Sequence, residues 1–163
     1  MIRLATPDDT DALLALAEAT GLFEPDQIED LSQMLDQHFN SKIDSLGIWL
    51  TDYDRESHPS EAIGVAYVAP ERMTHGTWNL YLIAIHPNYQ KQGRGGALLQ
   101  YIEQMLTERG ERVLLVETSG TDDFEYVRRF YRDRGYEEEA RIRDFYIDGV
   151  DKVIFRKSLA RAF

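Results

Sequence analysis

The spacing of apolar residues changes period several times along the chain, and each change marks an element. Residues 2–5 are a short apolar run that predicts a strand. Thr6-Pro7-Asp8-Asp9 then supplies an N-cap, a first-turn proline and an acidic third position, which start a helix. Leu13, Leu14, Leu16 and Ala17 give that helix its apolar stripe, and Gly21 ends it. Pro25 opens a second helix marked by Ile28, Leu31, Met34, Leu35 and Phe39.

Apolar runs at 48–53 and 63–69 predict two strands joined by the polar segment DRESHPSE, where Pro59 and the charges suit an exposed hairpin loop. A further strand spans 78–85 and stops at His86-Pro87. Helical spacing returns at 95–109 through Leu98, Leu99, Ile102 and Leu106, closed by Gly110. Residues 113–117 read as a buried strand that empties into TSGTDD. A fourth helix over about 124–134 stops at Gly135, and two last strands flank the turn Asp148-Gly149. The order β-α-α-β-β-β-α-β-α-β-β predicts an α/β (α+β) fold: a mixed, mostly antiparallel central sheet of about seven strands flanked by four helices.

A chain of 163 residues suits one domain with a single core, so 1–163 is expected to be one unit of function. No apolar run approaches the ~20 residues that cross a bilayer. The acidic start lacks the basic and apolar regions of a signal peptide, and with no cysteine to oxidise the cytoplasm is the expected compartment. A net charge of -11 opposes nucleic acid and anionic lipid and favours a neutral or cationic partner such as an amine. The plainer reading of that charge is a solvated acidic surface.

The chemistry concentrates in the loop QKQGRG, residues 90–95, between a strand and a helix. Gln90, Gly93 and Gly95 form Gln-x-x-Gly-x-Gly, where glycines let backbone N–H groups approach a phosphate. The helix N-terminus adds positive potential, and Lys91 and Arg94 add charge. A connection that merely needs glycine is the alternative. No Gly-Lys-Ser/Thr follows and the spacing is not Gly-x-Gly-x-x-Gly, which weakens the two common nucleotide readings.

At these residues the sequence resembles the Gcn5-related N-acetyltransferase (GNAT) superfamily. IAIHPNYQKQGRGGALL is similar to that family's strand-loop-helix unit, and RRFYRDRGY to its second signature, a Phe-Tyr pair followed by Gly and an aromatic. The resemblance covers essentially the whole chain and implies the acyl-CoA N-acyltransferase fold. It implies acetyl-CoA as co-substrate, with Ile83, Ala84 and Ile85 along the pantetheine arm and Lys91, Gln92, Gly93, Arg94, Gly95 and Gly96 at the pyrophosphate. No metal is expected, because His38, His58 and His75 are scattered and the chain has no cysteine and no His-x-x-x-His spacing.

Acetyl transfer to an amine requires a neutral nucleophile, a held oxyanion and a proton for the departing thiolate. By the resemblance Tyr131 protonates the thiolate, and a phenol with a pKa near ~10 keeps its proton at neutral pH. The alternative is one more packed aromatic. Glu117, at the end of VLLVE, matches a glutamate that acts as base through water in enzymes acetylating ribosomal-protein N termini. Here the separation to Tyr131 is about two residues longer, and a solvated strand-end carboxylate is the competing reading. Asp122 and Asp123 stand where many relatives carry a coenzyme-contacting asparagine, and both are expected to cap the fourth helix instead. His86 is expected to shape its turn.

The expected partner is an amine acceptor, either a small molecule or a peptide N-terminus, with neither nucleic acid nor membrane involved. A homodimer is an admissible assembly. RIRDFYIDGVDKVIF resembles the last hairpin of peptide N-terminal acetyltransferases, in which Tyr146 would touch the peptide, yet Asp148-Gly149 serves any tight hairpin. A non-catalytic acyl-CoA sensor or protein-interaction module is the second functional class, and it would need the loop but not Glu117 or Tyr131.

Overall fold

A computed structural model describes residues 1–41, 46–56 and 61–159. The strands are β1 (Ile2–Leu4), β2 (Ile48–Tyr53), β3 (Ala62–Pro70), β4 (Thr77–Ile85), β5 (Val113–Ser119), β6 (Glu137–Ile147) and β7 (Val150–Ser158). The helices are α1 (Thr10–Thr20), α2 (Pro25–Asn40), α3 (Arg94–Glu108) and α4 (Glu125–Arg132). The seven strands form one sheet in the order β1-β2-β3-β4-β5-β7-β6. The β1–β2, β2–β3, β5–β7 and β6–β7 pairings are antiparallel, and β4–β5 is parallel. This is the mixed sheet with four helices that the pattern predicts. The hairpin loop expected around Pro59 lies outside the described residues.

The chain divides into two compact units: Met1–Ala69 with Leu82–Ile102, and Pro70–Tyr81 with Glu103–Phe163. In the first unit, Leu13, Leu16 and Ala17 of α1 and Leu31 and Leu35 of α2 pack with Trp49, Ala62, Val65 and Ala84 of the sheet. The apolar stripes read from the sequence are therefore the core-facing sides of both helices. Gly21 takes φ +66 at the end of α1, where a left-handed residue turns the chain out of the helix. Asp9, 4% exposed, stands at the opposite, N-terminal end of α1. It accepts from both terminal nitrogens of Arg3 (2.8 and 2.9 Å), from the Thr6 N–H (2.7 Å) and from the Tyr53 hydroxyl (2.7 Å).

In the second unit, the β4–β5 register runs from Thr77 opposite Val113 to Leu80 opposite Val116. On the other side of β5, Glu117 stands opposite Ile154 of β7. Tyr131 of α4, 3% exposed, packs its ring against Phe130, Tyr136 and the fully buried Phe155 of β7.

The last two strands pair as the sequence predicts, but they are buried unevenly: Val153 and Phe155 of β7 are fully buried, whereas Phe145 is 49% and Ile147 69% exposed. The reason is that β6 is the edge strand, with register shifts between Glu138 and Ala140 and between Ile142 and Ile147. One local expectation is corrected: Asp122 and Asp123 do not cap α4 through their side chains. They lie in a 3-10 turn, Asp122–Phe124, whose N-cap is Thr121, and no side-chain cap hydrogen bond forms there or at the start of α4. Their charge at the first turn still suits the helix dipole.

Candidate active site

The loop between β4 and α3 is built by its own polar side chains. His86 Nδ1 accepts from the Asn88 N–H at 3.2 Å, so the histidine shapes the turn as expected. The Gln90 amide donates to the Ile85 carbonyl at 3.0 Å, and Gln92 donates to the Asn88 carbonyl at 3.2 Å. The backbone then turns through two left-handed residues, Lys91 at φ +60 and Gly93 at φ +78. Glycine adopts that conformation without strain, whereas lysine does so at a cost, so the loop stores some strain at position 91.

Helix α3 starts at Arg94, and its first capped N–H is that of Ala97, which donates to the Gly93 carbonyl at 3.0 Å. The N–H groups of Arg94, Gly95 and Gly96 belong to the helix's first turn, where the intrahelical ladder has no acceptors to give. A Cβ at Gly93 would meet nothing within 4 Å, so the approach to this turn is open. Lys91, Gln92 and Gly93 are exposed, and Arg94, Gly95 and Gly96 are half-buried. Arg94 Nη1 stands 3.4 Å from Oδ2 of Asp52, a carboxylate only 1% exposed, which anchors the guanidinium beside the turn. These features together fit an oxyanion of phosphate type.

Ile83 and Ile85 of β4 are half-buried, whereas Ala84 is 5% exposed and packs in the core with Leu13 and Trp49. Ala84 can therefore offer a ligand only its backbone.

In the second unit, Glu117 is held on both oxygens. Oε1 accepts from the Asn79 amide at 3.1 Å, and Oε2 stands 2.7 Å from the Lys152 ammonium. Lys152 also lies over the Phe145 ring, 3.8 Å from its centroid. Asn79 donates to Glu71 Oε1 as well, at 2.9 Å, and the Tyr81 hydroxyl donates to the same oxygen at 2.9 Å. Burial, assisted by the Glu117 charge, raises the pKa of Tyr146. Tyr131 lies in the α4–β7 aromatic cluster, where burial pushes its phenol far above the usual tyrosine range. It therefore stays a neutral O–H at every physiological pH.

The segment after Glu117 is braced by Arg128 of α4, 5% exposed. Its Nη1 donates to the Ser119 and Thr121 carbonyls at 2.7 and 2.8 Å, and its Nη2 pairs with Glu125 at 2.8 Å. The extra length of TSGTDD is thus absorbed in a loop with a fixed course.

Sequence reasoning singled out Glu117 and Tyr131 as candidates and named none of Asn79, Glu71, Lys152 and Arg128, the side chains around Glu117 and its following loop. One signal was available for Asn79. An asparagine inside the apolar run TWNLYLIAI is a polar group headed for burial, and such a group requires partners. Lys152 carried no such signal, because only the β5–β7 register brings it beside Glu117.

Comparison with known proteins fits these observations. A family model described as an acetyltransferase (GNAT) domain matches residues 44–138. A crystal structure from Desulfovibrio desulfuricans, described as an acetyltransferase of the GNAT family, is 30% identical, with 98% of this chain and 99% of that one covered and a TM-score of 0.88. An aminoglycoside 6'-N-acetyltransferase complexed with coenzyme A shares the fold at 16% identity, with 100% and 99% covered and a TM-score of 0.75. The ribosomal-protein-S18-alanine N-acetyltransferase of Escherichia coli does so at 20% identity, with 100% and 96% covered and a TM-score of 0.75. No sequence among the curated proteins matches significantly. With a family model spanning more than half of the chain and a 30% identical structure covering nearly all of it, this protein belongs to the GNAT acetyltransferase family.

Proposed function

We propose that the chain is an N-acetyltransferase that moves the acetyl group of acetyl-CoA directly to a primary amine, either a small amine or a peptide N-terminus. The carrying observation is the open first turn of α3, with the left-handed Gly93 before it and Arg94 anchored on Asp52. In this reading the N–H groups and charges of residues 91–96 take the pyrophosphate of coenzyme A, and residues 83–85 run along the pantetheine arm.

The transfer forms one C–N bond and breaks one C–S bond. The amine nitrogen attacks the thioester carbonyl carbon, and its surplus proton passes to Glu117 through water. The carbonyl then reforms as the C–S bond breaks, and the thiolate sulphur takes the Tyr131 hydroxyl proton, leaving an amide and free coenzyme A; Glu117 then gives its proton to water and the Tyr131 phenolate takes one back from water, which resets both groups. Burial keeps the Tyr131 phenol protonated, which the acid role requires, and it also makes the phenol a weaker acid, so its proton moves only as thiolate charge develops beside it. Glu117 suits the base role because its carboxylate is oriented by two separate donors, Asn79 and Lys152.

The acceptor class is supported by acidity and by aromatic surface. Glu71 lies in the unit that exposes Tyr81 and Tyr146, 52% and 46% accessible. Carboxylates and ring faces both attract an ammonium group. Solved relatives of the same fold are described as acting on an aminoglycoside and on a ribosomal-protein alanine, so both acceptor types belong in the test. Coenzyme A release should be followed with an alanine-terminated hexapeptide, kanamycin and spermidine. Release with at least one of them is the expected result, and tight binding of acetyl-CoA without release would favour an acyl-CoA sensor instead.

A further inference from the structure

Asn79 is the third residue of β4, with 2% of its surface exposed. Its Nδ2 lies 2.9 Å from Glu71 Oε1 and 3.1 Å from Glu117 Oε1. An amide nitrogen carries two hydrogens, so each carboxylate receives one. Glu71 is itself fixed by the Tyr81 hydroxyl at 2.9 Å, and the other Glu117 oxygen is taken by Lys152 at 2.7 Å. The parallel register sets Asn79 opposite Leu115, two residues before Glu117 on β5. A leucine at position 79 would offer no hydrogen, and an aspartate would add a third carboxylate to the two already there.

We propose that Asn79 is a positioning residue for the acetyl transfer, holding Glu117 with one amide hydrogen while the other is anchored on Glu71. The inference rests on the reading of Glu117 as the base. Its physical content is orientational: the glutamate side chain has three free torsions of its own, and a buried two-hydrogen clamp removes that freedom before the acceptor arrives.

A double-mutant cycle on the full chain tests it. Asn79→Ser, Glu117→Gln and the double variant are assayed for coenzyme A release with saturating acetyl-CoA and whichever of the alanine-terminated hexapeptide, kanamycin or spermidine turns over fastest. Thermal unfolding shows that each variant is folded. Asn79→Ser should lower kcat about ten- to a hundredfold while leaving KM for acetyl-CoA within about twofold. The same substitution should cost nothing further in the Glu117→Gln background.

Losses that multiply across the cycle overturn the inference while leaving the Glu117 reading intact, as does a change confined to KM or to melting. Wild-type kcat in Glu117→Gln, or no release with any of the three acceptors, overturns the base reading and this inference with it. Should Asn79→Ser not fold, Glu71→Ala removes the other anchor at a half-buried position outside the strand. Its kcat loss should be several-fold and should likewise vanish in Glu117→Gln, and a loss that persists there overturns the inference.

Discussion

The Lys152 ammonium stands 2.7 Å from Glu117 Oε2, across the antiparallel pairing of β7 with β5. Their side chains are 12% and 28% exposed, which makes this a partly buried pair rather than a surface one. Removing the cation leaves a desolvated carboxylate without its partner. Lys152→Gln should therefore destabilise the protein by about 1–2 kcal/mol, more than an exposed pair is worth. Urea unfolding measures it, and an unchanged midpoint would show that solvent already screens the pair. Since one Glu117 oxygen is also released, kcat should fall together with stability.

Tyr131→Phe removes one oxygen and leaves the ring's packing against Phe130, Tyr136 and Phe155 in place. Turnover should fall about a hundredfold or more, the usual span for a general acid, with KM for acetyl-CoA nearly unchanged. The melting temperature should hardly move. Turnover equal to wild type would reduce Tyr131 to a core aromatic.

A separate prediction concerns the loop at 90–95. Gly93 sits at φ +78, and a Cβ there would have no neighbour within 4 Å, so Gly93→Ala meets no clash and its cost is backbone strain alone, about 1 kcal/mol. Arg94→Gln removes the charge held by Asp52 and should weaken binding of coenzyme A, while dephosphorylated pantetheine binds as before. Calorimetry with the two ligands separates these outcomes. An equal loss for both would place the pyrophosphate away from this turn.

The Asp9 cluster governs the pH range of stability. Burial alone would raise the Asp9 pKa, but the Arg3 pair, the Thr6 N–H and the Tyr53 hydroxyl outweigh it and hold the carboxyl far below the usual range. Its contribution is thus complete above the unfolded value of ~3.9 and is lost as pH falls toward the folded one. Tyr53 behaves oppositely. Burial and Asp9 push its hydroxyl up to about 12, so its contribution is complete below ~10 and lost as pH rises through that value. Asp9→Asn should cost about 2 kcal/mol at neutral pH, discounted because Arg3 is 37% exposed, and should flatten the acid arm of the stability curve. An acid arm identical to wild type would assign acid unfolding to other carboxylates.

What the sequence disclosed follows from which interactions are local. Strand β2, Ile48–Tyr53, has the bounds its apolar run predicts, and Gly21 and Gly135 end or follow their helices because a left-handed residue is a local requirement. The loop at 90–95 was legible for the same reason. Glu117 and Tyr131 were reached through family likeness, whereas their surroundings depend on register. Whether position 79 or 152 meets Glu117 is decided by the pairing of β4, β5 and β7, and no nearby residue encodes it. The exposure of β6 was hidden likewise, since an alternating pattern does not say which strand forms the edge.

Acetyl transfer to an amine is decided by the fate of the acetyl group. Purified protein is incubated with acetyl-CoA and, in turn, the alanine-terminated hexapeptide, kanamycin and spermidine, with thiol release and acceptor mass followed together. For at least one acceptor, one coenzyme A should be released per acetyl gained on a primary amine, and both signals should be lost in Glu117→Gln. Saturable binding of acetyl-CoA with no acetylated amine from any of the three would contradict acetyl transfer.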